Sequence, residues 1–199
     1  MKFLKYLLIT IVVLVLAFFA VGMVYPEVDY SSEIVVSKSI EEAWAVGEDV
    51  SKYHLWLDGF KSMELIEGEY DAVGSKYKII VNPGEGQPDF EMVETVVSKE
   101  DFDHISMHFD SEMMDFEQLI TYSETEEGVS IKTESKVIGK GMMMRSMFVL
   151  MEKMGGAFTK QEAKNQSALK KVIEENTTDY YPVVVGEVEE LISEVEVAE

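Results

Sequence analysis

The sequence predicts an α+β domain, with an antiparallel sheet and a long C-terminal helix, preceded by one transmembrane helix. Three observations predict this arrangement. An uncharged apolar run occupies Tyr6 to Tyr25, and no proline occurs from Met142 to about Asn176. Between them, segments with a period of two recur every ~8 to 14 residues, which favours an antiparallel meander over βαβ units.

The first apolar run has the length of a membrane span. Tyr6 to Tyr25 contains twenty residues without a charge. At ~1.5 Å per residue, a helix of this length crosses the ~30 Å hydrocarbon core of a bilayer. Lys2 and Lys5 precede the run, and Glu27 and Asp29 follow it. Because positive residues stay on the cytoplasmic side, we expect a single-pass protein with a cytoplasmic N-terminus and an extracytoplasmic domain.

A cleaved signal peptide is the alternative interpretation of this run. Ala20, Val21 and Gly22 place small residues at its end, similar to a signal peptidase site. The run is longer than the usual ~7 to 15 residue apolar core of a signal peptide, which favours a permanent anchor. If cleavage occurs, the same domain is secreted or periplasmic.

Charge and cysteine content exclude several classes of function. The chain has 38 acidic and 17 basic side chains and a formal net charge of -21, so nucleic acid would be repelled. Nine carboxylates and no Lys or Arg occur from Glu174 onward, which predicts a solvated acidic tail over 177–199. The absence of cysteine excludes disulfides and thiolate metal sites. We therefore divide the chain into an anchor at 1–27, a domain at 28–176 and the tail.

The domain begins with a strand at Tyr30 to Val36 and two short helices. Ser39 and Glu42 form a capping box that starts the first helix, and Gly59 ends the second. One long helix starts at Met142, with room for a bend at the glycine pair 155–156. Period-two segments between them predict about six strands: Met63 to Leu65, Tyr77 to Val81, Phe90 to Val97, Ile105 to Phe109, Met114 to Tyr122 and Val129 to Val137.

Three local motifs accompany this order of elements: Ser39 to Trp44, Tyr53 to Leu57 with Phe60 to Leu65, and Gly74 to Tyr77. They look like the opening helix, the second helix with its following strand, and the strand-opening glycine of polyketide cyclase/dehydrase-like proteins. Over residues 28–176 the chain therefore resembles the SRPBCC or START-like superfamily. The resemblance implies a helix-grip fold, in which a curved sheet wraps the long helix and encloses an apolar cavity. It implies no shared catalytic triad.

Strand parity and helical spacing predict which residues face such a cavity. Gln118, Thr133 and Ser135 are polar at inward positions, where they either contact a ligand or bond to each other and the backbone. Methionines at helical spacing provide a flexible wall, with capture of Cu(I) as the alternative. The predicted ligand-binding residues are Trp56, Tyr77, Phe90, Met107, Phe109, Gln118, Tyr122, Thr133, Ser135, Met143, Met147 and Met154.

The sequence favours noncatalytic binding of a hydrophobic small molecule or lipid by this membrane-anchored domain. The alternative is a cyclase, dehydratase or hydrolase that acts on an apolar substrate, with Glu94, Gln118 or His54 as the polar catalyst. A module whose acidic tail recruits a basic partner is a third interpretation. No cofactor is expected.

Two details of the strands bear on these alternatives. Glu94 faces the cavity in one register of its strand, whereas Val93 and Val97 support the opposite register equally well. His104 and His108 share one strand face but lie about 13 Å apart, too far to share a metal ion. We therefore expect no metal site.

Overall fold

A computed structural model describes residues 2–82, 84 and 86–181 of the chain. The predicted acidic tail lies outside these residues from position 182 onward. The helices are α1 (Lys2–Val24), α2 (Ile40–Glu48), α3 (Tyr53–Trp56), α4 (Met142–Gly155) and α5 (Ala157–Glu174), with a 3-10 turn at Val50–Lys52. The strands are β1 (Val28–Val36), β2 (Phe60–Glu67), β3 (Lys76–Val81), β4 (Phe90–Glu100), β5 (His104–Asp110), β6 (Met114–Thr125) and β7 (Gly128–Gly139).

The strands form one seven-stranded sheet in the order β1-β7-β6-β5-β4-β3-β2. Every neighbouring pair is antiparallel. Strands β2 to β7 are a meander, and β1 pairs with β7 at the opposite edge from β2. The curved antiparallel sheet and its helices confirm the predicted α+β helix-grip class.

The turn from β1 into α2 starts the first helix of the domain where the sequence predicts. The Ser39 hydroxyl accepts a hydrogen bond from the Glu42 backbone N–H at 3.3 Å, which caps the helix. The Glu42 carboxylate turns instead to Lys38 at 2.7 Å and to the Asn176 amide at 3.1 Å. These two contacts tie the residue that follows α5 to the start of α2.

The predicted long C-terminal helix is two helices, α4 and α5. Gly156 between them has a φ of 62°, a left-handed conformation that ends α4. The Glu152 carboxylate accepts a hydrogen bond from the Phe158 backbone N–H at 2.8 Å and caps α5. As a result, α5 packs on β1, α2 and α3, whereas α4 packs chiefly on α1 and β7.

Helix α1 is long and apolar enough to cross a membrane, and its C-terminal end docks on α4. Gly22 is buried at this contact, and its backbone N–H donates to Ser146 Oγ at 3.2 Å. A Cβ added at Gly22 would lie 2.6 Å from the Ser146 backbone nitrogen and 2.9 Å from the Met142 carbonyl oxygen. Glycine therefore allows the two helices to approach backbone to backbone.

The core has two parts. The larger part lies between the sheet, α2 and α5 and includes Trp44 and Leu169. The smaller part joins α4 to β1 and β7 around Phe148, and Val21 of α1 packs against it. Phe116 of β6 contacts both parts. Through Val21, the end of α1 belongs to the packed structure of the domain.

Gly22→Val should force α1 away from α4. The branched side chain meets the Ser146 backbone, and overpacking of this kind costs ~1–3 kcal/mol. We expect a lower midpoint of thermal unfolding for the full-length protein in detergent micelles. Gly155→Ala is the matched control, because a Cβ added there meets no described atom within 4 Å. Equal midpoints for the two variants would contradict the close contact between α1 and α4.

Candidate functional site

A cavity of about 260 Å³ lies between the inner face of the sheet and helices α3 and α5. Helix α5 closes one side with Phe158 and Leu169. The sheet side is largely apolar because alternate side chains of each strand point to the same face. The apolar residues of that side are Phe60, Ile79, Val81, Met92, Met107, Phe109, Phe116 and Ile120.

Six of the residues predicted from the sequence line this cavity. Trp56 comes from α3, and the others come from the three adjacent strands β5, β6 and β7. The six are Trp56, Met107, Phe109, Gln118, Tyr122 and Thr133. Strand parity placed five of them, because neighbouring antiparallel strands bring residues of matching parity onto one face.

Three further predicted residues lie outside the cavity wall. Tyr77 is buried in the core, and its hydroxyl accepts a hydrogen bond from the Asp71 N–H at 2.7 Å. Phe90 is partly exposed at the first position of β4. Ser135 is buried in β7. Correct parity thus places a residue on the inner face without bringing it to the cavity.

The polar inward residues are bonded to protein partners. Gln118 donates from Nε2 to the Ser135 hydroxyl at 3.2 Å. Thr133 accepts a hydrogen bond from the Gln166 amide of α5. Ser135 is bonded within the protein and lies outside the cavity wall, whereas both alternatives that the sequence left open still apply to Gln118 and Thr133, which line the cavity.

The methionine stripe lies outside the cavity, which corrects the predicted location of Met143, Met147 and Met154. All three are on α4, and the break at Gly156 separates α4 from the cavity. Met143 and Met147 border a groove against α1. Met154 is 84% exposed. The stripe is continuous in the sequence, but it belongs to α4, which packs on α1 and β7 and not against the cavity.

Helix α5 supplies the cavity wall that had been assigned to the methionines. Phe158, Glu162, Asn165, Gln166 and Leu169 follow helical spacing, and all five line the cavity. Three of the five are polar, so this face of α5 does not form the apolar stripe by which a buried helix face is recognised in a sequence. The helical spacing that these polar and apolar residues share is the feature of the sequence that could have predicted this cavity wall.

Glu94 is a buried carboxyl in the cavity wall, with 6% of its surface exposed. Burial, with the charge of Glu48 as a second cause, raises the pKa of Glu94 to about 8. No hydrogen bond or cation from the described residues opposes this rise. The carboxyl is therefore mostly protonated at neutral pH, and in that form it can donate a hydrogen bond.

Glu48 also lines the cavity, but it has a cation beside it. Lys99 Nζ lies 3.2 Å from its carboxylate and 5.3 Å from the centre of the Trp44 ring. Burial raises the pKa of Glu48, and the charge of Lys99 opposes that rise. Lys99, which also pairs with Asp71, thus partly compensates Glu48 and leaves Glu94 uncompensated.

Two buried polar atoms of the cavity wall have no hydrogen-bond partner within the described ranges: Trp56 Nε1 and Gln166 Oε1. The indole N–H is a donor, and the amide oxygen is an acceptor. Leaving such an atom buried and unpaired costs ~1–3 kcal/mol. Trp56 and Gln166, with these unpaired atoms, and the neutral Glu94 carboxyl thus belong to the wall of one cavity.

The histidines contribute nothing to the cavity. His54 is exposed on α3 and is absent from the cavity wall. Glu100, Asp103 and His104 place potential metal-ligating atoms within 4.8 Å of one another near the β4–β5 turn. Both ring nitrogens of His104 already have partners, Asp103 at 2.6 Å and Ser98 at 3.3 Å. This group is a hydrogen-bonded surface turn.

Comparison with solved structures shows the fold. The di-domain ARO/CYC protein StfQ from the steffimycin biosynthetic pathway is similar at a TM-score of 0.59 and 11% identity, over 75% of this chain and 51% of that chain. Ara h 8.0201 is similar at a TM-score of 0.53 and 13% identity, over 75% of this chain and 99% of that chain. Protein CV1439 from Chromobacterium violaceum is similar at a TM-score of 0.56 and 14% identity, over 75% of this chain and 99% of that chain. No family model and no curated protein sequence matches the chain.

These likenesses agree with the helix-grip fold expected from the three sequence motifs. At 11% to 14% identity they show the fold alone. The chain spans about half of the di-domain protein. The chemistry of the cavity therefore depends on its own residues.

The pH dependence of stability tests the environment of Glu94. Below its ordinary value of 4.5, the carboxyl is protonated in both the folded and the unfolded chain. Between pH 4.5 and about 8, the unfolded chain releases this proton and the folded chain keeps it. Stability therefore falls in this range as pH rises, by up to about 1.4 kcal/mol per pH unit from this group.

Glu94→Gln should flatten that slope, because it removes the proton that the two states hold differently. The measurement is the free energy of unfolding of the full-length protein in detergent at several pH values. Glu91→Gln is the matched control, since Glu91 is exposed on the same strand, and it should keep the wild-type slope. A wild-type slope for Glu94→Gln would show that Glu94 is ionised in the folded protein.

Proposed function

We propose that this protein is a membrane-anchored, noncatalytic binder of a hydrophobic small molecule or lipid. The observation that carries the proposal is an apolar cavity whose wall holds an unpaired donor at Trp56 and an unpaired acceptor at Gln166. Nearly all buried polar atoms of native proteins have partners. A mostly apolar ligand with one or two polar groups would fill the cavity and supply those partners.

The size of the cavity favours a compact ligand. Its volume of about 260 Å³ is near the lower end of the ~300–1,000 Å³ typical of small-molecule sites. A small ring system or a single acyl chain fits this space better than a lipid with two chains. The proposed contacts are Trp56, Met107, Phe109, Gln118, Tyr122 and Thr133, together with Phe158, Gln166 and Leu169 of α5.

Anchoring through Tyr6 to Tyr25 is the second part of the proposal. Gly22 is buried against α4 and bonded to Ser146, so retention of α1 completes the packing of α4. This supports a permanent anchor over a cleaved signal peptide. With Lys2 and Lys5 on the cytoplasmic side, the 28–176 domain is extracytoplasmic. The bilayer beside it would then be a source of hydrophobic ligands.

Filling the cavity should abolish ligand binding. In Ile120→Phe, the larger ring occupies space inside the cavity. We expect native mass spectrometry of the full-length protein, released from detergent, to show a bound small molecule on the wild type and to lose it in this variant. Leu119→Phe is the matched control, because Leu119 is the neighbouring residue of β6 and is not part of the cavity wall. A ligand-free wild type, or equal recovery from Ile120→Phe and the wild type, would contradict the proposal.

An enzyme acting on an apolar substrate, with cyclase-, dehydratase- or hydrolase-like chemistry, is the second candidate. One observation favours it: Glu94, in an apolar cavity with a pKa of about 8, is suited to general acid–base catalysis near neutral pH. The other two candidates for this role fit less well. Gln118 is bonded to Ser135, and His54 is exposed outside the cavity.

The bound molecule itself distinguishes the two candidates. If Glu94 is a catalyst, the Glu94→Gln variant retains the unconverted substrate, and the mass of the extracted molecule differs from that recovered with the wild type. If the protein is a binder, molecules of the same mass are extracted from both. The Glu91→Gln variant should match the wild type in either case.

A further inference from the structure

One side of α4 carries only apolar side chains, three of them exposed and two half-buried. These residues are Met143, Met147, Leu150, Met151 and Met154, called the methionine face below. Met143, Met151 and Met154 are 56%, 45% and 84% exposed. A helix on the surface of a soluble domain normally directs polar residues outward. A contiguous apolar patch of this kind indicates a contact surface.

The charged residues of α4 are turned away from the methionine face. Arg145 donates from Nε to the Gly139 carbonyl oxygen at 3.1 Å. Glu152 caps α5 through the Phe158 N–H. Lys153 Nζ lies 4.4 Å from the centre of the Tyr25 ring, at the end of α1. All three charged residues of α4 therefore make contacts away from the methionine face.

The methionine face is continuous with the surface of α1. Met143 and Met147 form one wall of a groove, and Leu14, Val15, Phe18 and Phe19 of α1 form the other. No polar side chain contributes to this groove. The two helices are joined at Gly22, where α1 touches the α4 backbone. Whatever surrounds α1 at this level therefore also reaches the methionine face.

We propose that the methionine face of α4 lies in contact with the lipid bilayer beside α1, as a second membrane-bound element. This inference rests on the proposed function only in taking α1 as the anchor. A helix with an apolar face and with its charges held away from that face is suited to the boundary of a bilayer. Unbranched thioether side chains adapt readily to mobile acyl chains. The tyrosine and lysine at the end of α1 and α4 fit the polar edge of that boundary.

Because the chain has no native cysteine, single cysteines can carry an environment-sensitive fluorophore at chosen positions of the full-length protein. Met151→Cys and Met154→Cys report on the methionine face. Thr10→Cys in α1 is the reference for lipid, and Ser167→Cys, exposed on α5, is the reference for water. Each labelled protein is reconstituted into phosphatidylcholine vesicles. Quenching by aqueous iodide and by nitroxide-labelled acyl chains is then compared.

The expected result is that the labels at 151 and 154 behave as the label at 10 does. Their emission shifts to the blue, acyl-chain nitroxides quench it, and iodide does not. Quenching by iodide, as at position 167, would overturn the proposal, and so would protection from both quenchers, which would indicate a second protein copy on the methionine face.

The label at position 10 separates this inference from the anchor. If position 10 reports lipid while 151 and 154 report water, only the membrane contact of α4 is wrong. If position 10 also reports water, the anchor itself is wrong. Ligand binding in the cavity is measured independently by native mass spectrometry.

Discussion

The break between α4 and α5 is the constraint on which the rest of the structure depends. Gly156 adopts a left-handed conformation, and Glu152 caps the new helix at Phe158. The two successive helices therefore pack in two different places: α5 closes the cavity, and α4 contacts α1. Phe158 lies at the junction, stacked on Tyr30 with ring centres 5.7 Å apart. It belongs to the cavity wall and also packs against the smaller core that includes Val21.

The cavity departs from the rules that govern an ordinary core. Buried carboxyls are normally paired, as Glu48 is with Lys99. Glu94 lacks such a cation within the described chain, and Trp56 and Gln166 leave a donor and an acceptor unused. These three groups border a single cavity. Local departures that reduce stability concentrate at functional sites, where a ligand or a reaction compensates for them.

Local patterns determined most of what the sequence could predict. Strand period, turn glycines and the Ser39 cap act over a few residues, so they predicted the α+β class and the meander. Strand parity also predicted the five sheet residues among the six predicted residues that line the cavity. The register of Glu94 could not be decided from the sequence because apolar residues occupy both faces of β4: Val96 is buried, whereas Val97 is 53% exposed. The methionine stripe misled because helical spacing does not reveal where a helix breaks. The glycine pair 155–156 marked the position, but the left-handed conformation of Gly156 follows from the Glu152 cap and tertiary packing.

Burial of Gly22 also bears on whether α1 can be removed from the folded protein. Its backbone N–H is bonded to Ser146, and the α4 backbone covers it. A signal peptidase needs an accessible, extended backbone at the small residues Ala20 to Gly22, and the docked helix does not present one. If the proposed export takes place, any removal of α1 would therefore have to precede the packing of α4. Retention of α1 would then depend on the rate at which α4 folds relative to the rate of cleavage.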